Sequence, residues 1–167
     1  MLMNRIPLLC CLCLASAPVR GEKVLISEIM YHPGVGKPGD PGYVAEDTRQ
    51  EFVELHNPGG TPVSLGGWRF TKGVNYEFPD ATLPAGGYLV VAADADVQRF
   101  KTAYQGRYPA VLGATVLGGW TRVLGNNGDT LELTDASGGI VDSVTYATQG
   151  DWAARREGDP YPGQPSW

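Results

Sequence analysis

Carboxylates dominate the side chains that could do chemistry in this 167-residue chain, with 18 Asp and Glu against 13 Lys and Arg and two His. Glu28 in VLISEIMY and Glu54 in QEFVELH each sit midway along an apolar run of strand character. Two strand carboxylates can divide general acid and base work or hold a cation. The ordinary alternative is a solvated pair, or one matched to Arg or Lys on a neighbouring strand. Asp40, Glu46, Asp47 and Glu51 crowd one loop and the strand after it, and Asp94 and Asp96 a second loop. Calcium takes about six to eight oxygens from a shaped loop. Neither spacing matches a defined calcium loop such as the EF-hand, so solvated acidic loops are expected, with calcium the one cofactor they would suit.

The remaining candidates are weaker. His32 and His56 both end strands, and two imidazoles with an acid can hold zinc if those strands are neighbours; polar positions flanking a turn are the default. Ser27, Ser64, Ser137 and Ser143 supply hydroxyls, yet none stands in Gly-x-Ser-x-Gly, and no Gly-rich phosphate loop is present. The sequence therefore assigns no catalytic, cofactor-binding or metal residue. Of the four tryptophans, Trp68 is expected in the core, while Trp120, Trp152 and Trp167 raise sugar stacking, with Trp120 and Trp152 the exposed pair. Single exposed aromatics usually mark nothing specific.

The positioning elements begin after the N-terminus. A basic start at Met1 to Arg5, an apolar run at Ile6 to Ala15 and small residues at Ser16 and Ala17 give the order of a secretory signal peptide. Residues 1–21 are expected to be that leader, cut somewhere in 17–21, so that the product is secreted, periplasmic or on the cell surface. The apolar run is shorter than the roughly 20 residues a bilayer span needs. Cys10, Cys11 and Cys13 all lie within it, leaving no disulfide framework, zinc knuckle or thiol nucleophile in the mature chain. Losing Arg5 and Arg20 leaves 11 basic residues against 18 acidic, a net charge of −7. Such a surface repels a nucleic-acid backbone and suits cations, basic partners or neutral glycans. The remaining length, about 145 residues, is that of one ordinary domain.

Strand patterns cover Val24–Tyr31, Gln50–His56, Val63–Leu65, Trp68–Thr71, Tyr76–Phe78, Tyr88–Ala92, Thr130–Thr134 and Ile140–Tyr146. Turn signals separate them, including Asn57-Pro58-Gly59-Gly60 and Asn126-Asn127-Gly128-Asp129. One helix is predicted over Asp94–Gln105, capped by Asp94 or Asp96, with Val97, Phe100, Lys101 and Tyr104 at helical spacing. Residues 153–167 form a polar Pro/Gly-rich tail, read as the start of a linker.

Five of these segments, in order, carry a family resemblance. Ile26-Ser27-Glu28-Ile29-Met30-Tyr31 before Pro33, and Glu51-Phe52-Val53-Glu54-Leu55-His56-Asn57-Pro58, are similar to the opening two strands of bacterial lamin-tail domains. Leu65-Gly66-Gly67-Trp68-Arg69-Phe70 and Leu83-Pro84-Ala85-Gly86 with Tyr88-Leu89-Val90-Val91 are similar to the segments that follow. Asn126-Gly128-Asp129 with Leu131-Leu133, then Val141-Asp142-Val144-Tyr146, resembles the closing hairpin. The resemblance spans Val24 to Trp152 and sets the expected domain at 22–152. It implies an all-β, immunoglobulin-like β-sandwich with one inserted short helix, placed over a sandwich edge, and a bacterial source. It also implies a secreted or cell-surface non-catalytic binding or scaffold module, its partner an extracellular protein or glycan. Two alternatives stand beside it: an N-terminal targeting module of a larger extracellular hydrolase or surface protein, and a calcium-dependent structural domain.

Overall fold

The computed structural model of the protein describes residues 23–34, 38–39, 41–106 and 108–147. The expected leader with its three cysteines, Asp40, Trp152, Trp167 and the 153–167 tail lie outside the described residues. Within them, the strands are β1 (Leu25–Met30), β2 (Phe52–His56), β3 (Val63–Ser64), β4 (Arg69–Lys72), β5 (Tyr76–Glu77), β6 (Thr82–Leu83), β7 (Tyr88–Ala92), β8 (Val116–Gly118), β9 (Asp129–Thr134) and β10 (Ile140–Tyr146). The helix α1 (Val97–Gln105) lies between β7 and β8. Short 3-10 turns occupy Thr48–Gln50 and Pro109–Gly113.

Two four-stranded sheets form the layers, in the orders β1-β2-β7-β8 and β10-β9-β4-β5, and β3 pairs with β6 in a small separate ladder. The period-2 alternation decides what fills the space between them. Val53 and Leu55 of β2, with Leu89 and Val91 of β7, point inward against Phe70 of β4 and Leu131 and Leu133 of β9, and all are buried. Phe78, Leu65, Leu83, Val74 and Leu124 belong to the same core. The sheets are also tied edge to edge. The Asp142 carboxylate on β10 accepts the Ile26 N–H of β1 at 2.8 Å, and the Tyr31 and Tyr146 rings stack at 4.8 Å. The architecture is an immunoglobulin-like β-sandwich, all-β but for one short helix.

The helix lies elsewhere than expected. Rather than capping an edge, α1 packs Phe100 and Tyr104 against Phe52, Val90 and Ala92, the outward side chains of β2 and β7. The cause is the pairing of β8, which runs parallel to β7 with Val90 against Val116 and Ala92 against Gly118. A parallel neighbour requires the chain to cross back over the sheet, and α1 with the Pro109–Gly113 turn is that crossover. Asp96 caps the helix, its carboxylate accepting the Gln98 and Arg99 N–H groups at 3.1 Å each. β6, β8 and the Pro109–Gly113 turn have no counterpart among the predicted strands.

Candidate functional site

The outer face of the β1-β2-β7-β8 sheet is the place where ionisable and apolar groups meet. A bulge between Ile26 and Glu28 shifts the phase of β1, so Ile26 and Ile29 both face the core and Glu28 faces out. In register, Glu28 then stands directly opposite Glu54, and Met30 opposite Phe52. The Ser27 hydroxyl donates to the Glu54 carboxylate at 2.7 Å and to the Glu54 carbonyl at 3.2 Å. Partial burial, and secondarily the neighbouring Glu54 charge, push the Glu28 carboxyl above its ordinary value.

The crossover turns this acidic pair into one wall of a groove of about 290 Å³. Its other walls include Met30, Phe52, Phe100, Tyr104 and Tyr108, and among the described residues no Lys, Arg or His lines it. Phe52 meets Phe100 and Tyr104 edge-on, at 6.0 and 5.6 Å between centroids. The Tyr104 hydroxyl donates to the Gln50 carbonyl at 2.7 Å, pinning the helix to the Thr48–Gln50 turn that leads into β2. Beside the groove, His56 stacks on Tyr88 at 4.3 Å, leaving Tyr88 54% and Leu25 43% exposed.

The acidic loops are engaged internally. Asp47 receives Arg49 Nε and Nη2 at 2.8 and 2.7 Å, and Asp94 receives the same pair of atoms from Arg99 at 2.5 Å each. Hydrogen bonding to these guanidinium groups holds both carboxyls below the usual carboxylate range. Glu46 accepts Asn126 Nδ2 at both oxygens, 3.0 and 2.9 Å, and lies 3.3 Å from His32 Nδ1. Among the described residues, no group of three His, Cys, Asp or Glu is arranged to hold a metal ion.

Glu51, grouped with that loop in the sequence, is fully buried instead. Its Oε2 accepts the Leu124 N–H at 3.0 Å, while Oε1 has no hydrogen-bond partner among the described residues. Burial raises its carboxyl to about 7, against the opposing pull of the Leu124 N–H. The signal was present in the alternation: Glu51 shares the phase of Val53 and Leu55, the inward residues of β2.

The two histidines do not meet: the antiparallel register sets Leu25 against His56 and Met30 against Phe52, so His32 and His56 lie at opposite ends of the β1–β2 pair. Four residues of strand, about 13 Å, already separate those ends. Trp120, expected to be exposed, is buried in the core at 6% exposure. The loop carrying it is drawn inward by Asn75 and Thr121, which exchange both backbone hydrogen bonds at 3.0 Å. It cannot stack on a sugar there. Trp68, expected in the core, is half-buried against it, with Gly67 at φ 75° providing the turn before it.

The Ser27 and Ser137 hydroxyls meet carboxylates rather than imidazoles. Ser27 bonds Glu54, and Ser137 bonds Asp135 at 2.6 Å within a turn; no hydrogen bond joins a serine to a histidine among the described residues. What the sequence reading missed is the aromatic wall, because Phe100 and Tyr104 were legible as a helical stripe but not as a cover for the Glu28–Glu54 face.

No helix among the described residues is long and apolar enough to cross a membrane. No curated protein matches the chain. The family model for the lamin tail domain matches residues 18–148, taking in every strand and the crossover helix. The chain belongs to the lamin tail domain family, a family of non-catalytic, immunoglobulin-like domains.

Proposed function

We propose that this chain is a secreted or cell-surface, non-catalytic binding or scaffold module that engages its partner through the groove on the outer face of the β1-β2-β7-β8 sheet. The observation that carries this reading is the groove itself: aromatic and aliphatic walls around two adjacent carboxylates that have no basic neighbour in its described lining. A binding surface of this kind combines apolar area for affinity with a few polar groups for orientation. The leader-like N-terminus supports an exported destination.

Intact mass of the protein from its native host, with the cell fraction recorded, tests the export half of this reading. A mass beginning between Pro18 and Glu22 in the periplasmic, surface or extracellular fraction is expected. An uncut chain confined to the cytoplasm would overturn it.

A further inference from the structure

We propose that the groove accepts an arginine side chain of a partner polypeptide, its guanidinium bridging Glu28 and Glu54. The inference rests on the binding-module reading and deepens it.

Three features of the groove converge on this chemistry. First, Glu28 and Glu54 are cross-strand partners on the same face, and like charges directly opposite one another are destabilising. Among the described residues, the only side-chain hydrogen bond to the pair comes from Ser27, a neutral donor, and it reaches Glu54 alone. A cation set between them removes the repulsion. Second, the rest of the lining is apolar or aromatic, Met30, Phe52, Phe100, Tyr104 and Tyr108 among it, which suits an aliphatic stem and the faces of a delocalised cation. Third, a planar guanidinium offers its donors in a fork that can reach two carboxylates at once. An ammonium is a compact, strongly hydrated point charge and gives up more on entering an apolar groove. The acidic excess of the chain favours the same partner at longer range.

The probe is N-acetyl-arginine N-methylamide, with the matching citrulline compound as its neutral counterpart. Both are titrated into the full chain and followed by backbone amide chemical shifts. Saturable shifts at Glu28, Met30, Glu54 and Val90 are expected for the arginine probe, with the citrulline compound at least about tenfold weaker, roughly the strength of one charge-assisted pair. E28Q/E54Q is expected to lose about tenfold in arginine affinity while melting no lower than the wild type, since the substitution removes the like-charge repulsion. Equal responses to the two probes, or shifts confined to other faces, would overturn the assignment. So would probe binding that emerges only in an R107A/R155A/R156A variant, which would make an arginine of the chain itself the occupant. If the groove ignores arginine while the exported protein still cross-links to a partner through this face, the ligand assignment falls and the binding-module reading stands.

Discussion

Glu28 and Glu54 face each other across the β1–β2 ladder, and the Ser27 hydroxyl holds Glu54 at 2.7 Å, while among the described residues no hydrogen bond or ion pair reaches Glu28. That arrangement depends on a bulge. Were the strand regular through Ser27, alternation from Ile26 would turn Glu28 toward the core and Ile29 outward. The same bulge therefore serves the core and presents the carboxylate.

The crossover that covers this face is predicted to depend on Gly118. A methyl group there would fall well inside contact distance of the Asp94 carbonyl oxygen, a backbone atom at the opening of the α1 loop. G118A should therefore destabilise the protein by about 1–3 kcal/mol, as overpacking against a rigid neighbour does. F100A should cost about 3–5 kcal/mol by emptying a fully buried aromatic site. Urea unfolding followed by tryptophan fluorescence measures both. Wild-type stability in G118A would mean that the β7–α1–β8 junction is looser than described.

Glu51 is predicted to make stability fall with rising pH. Its carboxyl sits at about 7 in the folded protein against an ordinary 4.5. Below 4.5 both states are protonated and nothing is lost. Between 4.5 and about 7 the unfolded chain ionises first, and the folded state loses up to about 3 kcal/mol relative to it. E51Q keeps an acceptor for the Leu124 N–H but does not ionise. Its stability advantage over the wild type should therefore be near zero at pH 4.5 and grow to about 3 kcal/mol at pH 8. Denaturant titrations at the two pH values give the difference. A pH-independent difference would contradict a buried, uncompensated carboxylate at this position.

Calcium is predicted to leave stability unchanged. Asp47 and Asp94 each hold a guanidinium, and Glu46 holds Asn126, so these carboxylates already have partners. Melting temperatures in millimolar calcium and in EDTA should coincide. A rise with calcium, growing with its concentration as linkage requires, would show a cation site in the acidic loops.

Much of this fold was legible because β-sandwich strands advertise themselves by alternation. The apolar run Tyr88–Ala92 marks its strand with the bounds it has, and Asp96 is one of the two caps the sequence offers the helix. Two kinds of feature were not legible. β8 is three residues long, and its partner is reached through a non-local parallel crossover that no short-range pattern encodes. Burial of Trp120 follows from the Asn75–Thr121 bridge between loops distant in sequence, so Gly118-Gly119-Trp120 gave no warning of it. The candidate site falls between these cases. Glu28 and Glu54 stood out individually, and the phase of Phe52, Glu54 and His56 marked an outer face with an aromatic on it. Their pairing needed the register, and the aromatic wall needed the helix laid across the sheet.

The central claim, that this domain binds a partner polypeptide through the outer-face groove, is tested most directly by site-specific photo-cross-linking in the native host. A benzophenone side chain replaces Met30 at the groove or Ser137 in the remote β9–β10 turn. The account predicts a discrete adduct from position 30, absent from position 137 and lost in E28Q/E54Q. An adduct from position 137 with none from position 30 would contradict it.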